Sequence, residues 1–169
     1  MYKCFKIKEK VINSVIYETD YISIYDKLIE KDRNNINEKI SSFKIKDNIR
    51  DGTKTKSNWF PKIDADIFIS HSHNDVKLAQ LLAGYIYRET GLKPFIDYEV
   101  WGNYTNLLRN IDNNYCLFEN SELYSYELRN YSTSHVHMML NIALMEMIHK
   151  CNYFIFIETD FSLKEDELI

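Results

Sequence analysis

An open α/β fold built on a parallel sheet is the architecture this sequence predicts, on three observations. From Asp64 onward, short apolar runs rich in β-branched and aromatic residues alternate with capped helical patterns, the signature of parallel strands joined by crossover helices. The run Asp66-Ile-Phe-Ile-Ser-His-Ser-His-Asn-Asp75 empties an apolar strand into a polar, histidine-bearing turn that starts a helix. A second junction, Lys93-Pro-Phe-Ile-Asp-Tyr-Glu-Val-Trp-Gly102, leads a short strand into an acidic, aromatic loop closed by glycine. Such junctions at the carboxyl ends of strands are where open α/β sheets hold ligands.

Taken in order, the N-terminal stretch from Asn13 to Glu30 carries Ile12, Val15, Ile16, Ile22, Tyr25 and Ile29 mostly at helical spacing. Ile36 and Ile40 fall on a second short helix, although Val, Ile, Thr and Tyr between Ser14 and Ile24 also suit a strand. Residues 46–58 contain almost nothing apolar and read as a linker. The predicted division is therefore an N-terminal extension and linker at 1–58 and a main domain at 59–169, anchored by Trp59 and Phe60 before Pro61.

Within the main domain the first strand is Ile67–Ser70. Asn74 or Asp75 caps the next helix, where Val76, Ala79, Leu82, Ala83 and Ile86 make one face and Gly91 gives the stop. Pro94–Asp97 forms the second strand, proline being tolerated at a strand start. A helix over Tyr104–Asp112 turns Leu107, Leu108 and Ile111 inward, and residues 113–131 read as a tyrosine-rich irregular insert. Ser132-Thr-Ser134 caps a long helix to Lys150, with Val136, Met139, Leu140, Ala143, Leu144, Met147 and Ile148 at i, i+3, i+4 spacing. Tyr153–Ile157 is the last buried strand. The residues after it are too few for another complete βα unit.

Composition narrows the class. The 169 residues are 45% hydrophobic and 27% charged with two prolines, enough for a real core and inconsistent with disorder throughout. No run of about 18 uncharged apolar residues occurs, and Met-Tyr-Lys-Cys-Phe-Lys lacks an export signal's apolar region. The expectation is a cytoplasmic protein without membrane attachment. Three cysteines, Cys4, Cys116 and Cys151, are odd in number and widely spaced, which suits reduced thiols. Charge is uneven: 13 Lys/Arg face 9 Asp/Glu in residues 1–58, against 8 and 16 in residues 59–169. The basic residues alternate with acidic ones and form no single face, so nucleic acid is not the expected partner.

His71 with His73 and His135 with His137 offer four imidazoles, yet no acidic residue completes either pair at ligand spacing, so no metal is expected. His149 suits the dipole at a helix C-terminus. Cys116 and Cys151 lack a fixed histidine partner and read as buried inert thiols. Four glycines, Gly52, Gly84, Gly91 and Gly102, make neither a dinucleotide fingerprint nor a P-loop. Ser70, Ser72 and Asn74 nonetheless stand where a helix N-terminus receives phosphate.

The Phe-Ile-Ser-His run of the first junction and the Phe-Ile-Asp run of the second resemble the Toll/interleukin-1 receptor (TIR) domain family over roughly Asp64 to Ile169. The resemblance implies a flavodoxin-like parallel sheet flanked by helices and a role in intracellular signalling or innate defence. Many members cleave NAD at the nicotinamide ribosyl bond, releasing nicotinamide and ADP-ribose or a cyclised product, so NAD is implied as substrate with no separate cofactor. Others only assemble complexes by TIR–TIR self-association, and a nucleotide-binding signalling module without turnover is the third reading. Matched position by position, Ser70, His71 and Ser72 correspond to the first loop, and Asp97, Glu99, Trp101 and Gly102 to the family's BB loop, with Trp101 placed to stack on a base or to pack beneath the loop.

The family's catalytic glutamate follows the strand equivalent to Tyr153–Ile157, in a Ser-x-Trp-x-x-Glu-like setting. Here Ser162-Leu-Lys-Glu-Asp-Glu167 lacks the tryptophan; Glu167, before Leu168, fits best and Glu165 is second. The family's final strand and helices have no counterpart, which implies either a shortened member that needs a partner or a chain whose glutamate lies further on. One positioned carboxylate meets the chemical need, stabilising a cationic ribose as the glycosidic bond breaks.

Overall fold

The computed structural model describes residues 3–17, 20–42, 51–119 and 121–162. Two compact units form, one from Met1–Asn34, Ile63–Ile96 and Met147–Ile169, the other from Asn35–Lys62 and Asp97–Glu146. The first holds an α/β sheet of four strands, all parallel, and the second is mainly helical.

The sheet runs in the order β1-β4-β2-β3, with β1 at Lys3–Lys8, β2 at Ile67–Ser70, β3 at Pro94–Phe95 and β4 at Tyr153–Glu158. The three predicted strands are parallel neighbours, as the alternation requires. β2 pairs Ile67 with Pro94 of β3 on one side and with Tyr153 of β4 on the other. Ile67, Phe68 and Ile69 are all buried, the continuous apolar run expected of a strand covered on both faces. Phe68 packs against Phe95 and stacks on Phe154, with ring centroids 5.6 and 5.7 Å away. β3 is shorter than predicted, because a helix starts at Asp97.

The fourth strand was not foreseen. Lys3–Lys8 pairs in register with Tyr153–Glu158, and its side chains are exposed except for partly covered Ile7. Lys-Cys-Phe-Lys-Ile-Lys lacks the apolar face that marks a strand, because an edge strand needs little burial and gains from lysine, which blunts pairing with other chains.

Two helices of the N-terminal stretch follow, α1 at Glu9–Val15 and α2 at Asp20–Ser42. Helical spacing was the correct period, but the division differs from the expected one: α1 ends at Val15, and Ile36 and Ile40 continue α2 and form no second short helix. Tyr21, Tyr25 and Ile29 are buried one turn apart on α2, and the fully buried Tyr25 hydroxyl accepts the Ile96 N–H at 3.1 Å. The N-terminal stretch thus supplies core to the sheet unit. α4, at Val76–Thr90, buries Ala79, Leu82, Ala83 and Gly84. Gly91 ends it in the left-handed region at φ 70°, its N–H bonded to Tyr87 O at 2.9 Å.

In the helical unit, α3 occupies Gly52–Trp59, within the stretch expected to be a linker, whose residues 46–50 lie outside the described residues. Asp51 caps it by accepting the Lys54 N–H at 3.0 Å. Thr55 and Trp59 are its only buried residues, too few to show as a periodic pattern, and Lys56 Nζ lies 2.7 Å from a Glu146 carboxylate oxygen. α5 at Asp97–Trp101, α6 at Thr105–Tyr115 and α7 at Tyr126–Lys150 complete the elements. α7 starts six residues or more before the predicted Ser132–Ser134 cap. Ser132 sits inside the helix with its hydroxyl on Asp112 at 2.5 Å, so its side chain serves a tertiary bond. Part of the predicted irregular insert is therefore helix, and Leu117 bridges Tyr124 antiparallel in what remains. Among the described residues no helix is long and apolar enough to cross a membrane.

One close approach fixes the α4 packing. A Cβ built on Gly84 would lie 1.9 Å from the Tyr21 carbonyl oxygen and 2.6 Å from its carbon, and neither backbone atom has a rotamer to yield. Gly84→Ala is expected to destabilise the protein by about 3 kcal/mol or more. Gly91→Ala, whose methyl meets open space but must adopt positive φ, should lose only about 1 kcal/mol. Urea unfolding of the two variants beside wild type checks the order; equal losses would mean that α2 shifts freely away from α4.

Candidate functional site

At the carboxyl end of β2 the chain passes through Ser70, His71 and Ser72, all partly buried. A single 3₁₀ turn at His73–Asp75 then leads into α4. This is the strand-to-helix junction that the sequence singled out. Asp75 was expected to cap α4, but its side chain makes no cap bond. Instead Asp75 is buried and its Oδ2 accepts the Thr159 hydroxyl at 2.6 Å. Thr159 follows β4 directly, and its Oγ1 also receives the Phe161 and Ser162 N–H groups at 3.1 and 3.2 Å. One carboxylate therefore ties together the loops that leave two adjacent strands.

Two further groups mark this end of the sheet. His71 Nδ1 is buried and has no hydrogen-bond partner among the described residues. A native buried ring nitrogen without a partner is uncommon and needs an explanation; a ligand atom or a water reaching it would supply one. Glu158, the last residue of β4, pairs with Lys6 at 2.9 Å. The Lys6 ammonium beside it, outweighing burial and assisted by the charge of Lys8, holds the Glu158 carboxyl below the usual range. The carboxylate is ionised at neutral pH. Asp75, Glu158 and Thr159 lie in no motif that marks them as functional groups, because only the β2–β4 pairing brings Thr159 to Asp75.

The second predicted group, Asp97, Glu99, Trp101 and Gly102, belongs to the helical unit, whereas Ser70, His71 and Ser72 belong to the sheet unit. Where an open loop was expected, Asp97–Trp101 is helical, and Gly102 closes it at φ 73° with its N–H on Tyr98 O at 2.9 Å. Asp97 and Glu99 are partly buried. Trp101 is only 5% exposed. Its indole N–H donates to Pro61 O at 2.9 Å, and its ring meets Phe60 edge-on at 5.6 Å. Of the two placements considered for Trp101, packing beneath the segment is the one observed. A five-residue helix is too short to announce itself by periodicity. Glu165 and Glu167 lie outside the described residues.

The helical unit also contains a polar cluster that no sequence motif announced. Asp112 is buried and receives the Ser132 hydroxyl at 2.5 Å, Arg129 Nε at 3.0 Å and the Cys116 thiol at 3.5 Å. The Arg129 guanidinium also lies 5.0 Å from the Tyr124 ring centre. Three donors converging on one carboxylate leave it well satisfied, so the cluster acts as a clamp between α6, α7 and the turn between them. Of the other histidines singled out, His135 and His137 are exposed, with His137 edge-on to Tyr104 at 5.2 Å. Among the described residues no group of three or more His, Cys, Asp or Glu side chains is arranged to hold a metal ion. No family model, curated protein or solved structure matches the chain.

Two expected outcomes test this geometry. Thr159→Val keeps the shape but removes the hydroxyl that donates to buried Asp75, and should cost about 2 to 3 kcal/mol for a buried carboxylate that loses its donor. Thr159→Ser should cost under about 1 kcal/mol, and equal unfolding midpoints for the two would remove the bond from any structural role. The thiols form the other test. Burial, the largest cause, raises the Cys151 pKa from 9.0 to about 11. The protonated thiol therefore contributes stability that is whole below pH 9.0 and lost as the pH rises towards about 11. At pH 8 an aromatic disulfide reagent should label exposed Cys4 quickly, and buried Cys116 and Cys151 only on unfolding.

Proposed function

We propose that this chain is a TIR-like signalling or defence module of flavodoxin-like topology, which binds NAD at the carboxyl end of its sheet and releases nicotinamide. One observation carries the reading. Strand order β3-β2-β4, in which the chain steps from β2 to β3 and then crosses back beyond β2 to β4, creates a topological switch point between β2 and β4. Ligands of doubly wound sheets lie in the crevice outside such a point. Ser70, His71, Glu158 and Thr159 stand at those strand ends, and the unpartnered His71 Nδ1 is consistent with a ligand that completes it.

In this reading Ser70 and Ser72 supply hydroxyls and backbone groups to the dinucleotide's phosphates or ribose, near the start of α4. His71 contributes a hydrogen bond from the ring nitrogen that the protein leaves open. Asp75 and Thr159 hold the two loops at fixed separation and do not touch substrate. Cleavage of the nicotinamide bond leaves a cationic ribose while neutral nicotinamide departs, a carboxylate stabilises that charge, and water or the substrate's own adenine captures the ribose to give ADP-ribose or a cyclised product. Glu167 is the proposed carboxylate and Glu165 the alternative, on the resemblance of the sequence after β4. Ionised Glu158 is the competing carboxylate, on its position. Asp97, Glu99, Trp101 and Gly102 correspond to the family's second loop on the resemblance of the sequence alone. A cytoplasmic location and assembly through TIR–TIR contacts belong to the same proposal.

The deciding experiment follows nicotinamide release from NAD by purified protein over a range of protein concentrations, with Glu167→Gln, Glu165→Gln and Glu158→Gln in parallel. Loss of a transition-state charge is expected to slow the Glu167→Gln variant by about a hundredfold or more, while the other two retain most activity. A wild-type protein that leaves NAD intact at every concentration overturns the enzymatic reading. Full activity in a Glu165/Glu167 double variant, with loss in Glu158→Gln, transfers the role to Glu158.

A further inference from the structure

The long helix α7 carries two apolar faces. Its inner face is set by Val136 and Ala143, both buried. A second row, Tyr131, Met138, Ile142 and Met145, is 59, 53, 41 and 69% exposed, and at about 100° per residue it falls on the opposite side of the helix from the buried row. No Asp, Glu, Lys or Arg occurs between residues 130 and 145. A surface helix of a monomer normally turns charge outward on that face, so this face is built to be covered.

We infer that a second copy of the chain covers it, with two α7 helices packed antiparallel about a twofold axis at Met138. The spacing is self-complementary. Tyr131 and Met145 lie equally far from Met138 on either side, so the axis sets each Tyr131 ring on the partner's Met145 thioether, a favourable sulfur–aromatic contact. Met138 meets its own symmetry mate, and the small Ser134 leaves a recess opposite the partner's Ile142. The seven-residue steps from 131 to 138 to 145 keep the seam aligned at the shallow crossing angle of two-helix packing. With Leu128 and His135 beside it, the row offers on the order of 700 Å² per copy, close to the roughly 800 Å² that each partner of a standard interface buries. A membrane surface fits less well, because this face has no flanking rows of Lys and Arg. The inference does not rest on the NAD reading, and its test reads assembly alone.

Sedimentation equilibrium of the full chain, from about 1 to 200 µM, should give a dimer with a dissociation constant on the order of 10 µM. Met138→Glu and Met138→Lys each place like charges on the axis, and each should weaken the dimer at least tenfold while thermal melts at about 1 µM, where the wild type is mostly monomeric too, stay unchanged, since Met138 is exposed. An equimolar mixture of the two variants should restore dimerisation, because only opposite charges then meet. A wild-type chain that stays monomeric across the range overturns the inference. So does a dimer indifferent to both substitutions, or a mixture that fails to recover.

Discussion

Asp66 is the residue on which the sheet is assembled. Its N–H donates to Lys93 O at 2.8 Å, its carboxylate accepts the Lys93 N–H at 2.8 Å, and its carbonyl accepts the Asn152 and Tyr153 N–H groups at 2.9 and 3.1 Å. The amino ends of β2, β3 and β4 are thereby set level before the first ladder bond. Lys93 continues outward to Asp32 through an ion pair of 2.7 Å, joining the start of β3 to α2. A slip of one residue in a strand turns every side chain to the other face. With the amino ends pinned, the carboxyl ends of β2 and β4 emerge at matched height, where the Asp75–Thr159 bond closes the other end.

What the sequence made legible follows from burial. β2, β4 and α4 could be read because they are covered on enough sides to force apolar runs or a helical stripe, with Gly91 marking the stop. β1 escaped because an exposed edge strand needs no apolar face, and α3 because Thr55 and Trp59 alone carry its packing. Ser132 misled because hydroxyl residues before an apolar run usually cap a helix, whereas this one answers Asp112 across the turn. At the candidate site, the strand-to-helix junction at Ser70–Ser72 was visible as composition. The partnership of Asp75 with Thr159 was not, since 84 residues separate the two and neither lies in a motif.

The helical unit keeps its polar groups by a different means. Its buried carboxylate has a hydroxyl, a guanidinium and a thiol on it, and one of those donors is half exposed, with 50% of the Arg129 side chain in contact with solvent. That arrangement spares the full cost of burying an ion pair, because the cation stays hydrated. In the Lys56–Glu146 pair the cation is instead the more buried partner, and Lys56 holds the Glu146 carboxyl below the ordinary range by a direct hydrogen bond. Ion pairs of this kind specify which helix faces meet more than they add stability.

The pairing of β1 with β4 has a consequence for how the chain is made. Lys3 lies beside Tyr153 in the sheet, so the first described strand cannot find its partner until Tyr153–Glu158 has been synthesised. Contacts this distant in sequence close late and slow folding. During that interval β1 waits as an unpaired strand while the ribosome adds about 5 to 20 residues each second. Its lysines then keep the waiting segment hydrated and out of reach of neighbouring nascent chains, so the same charges that blunt the finished edge protect the protein before that edge exists.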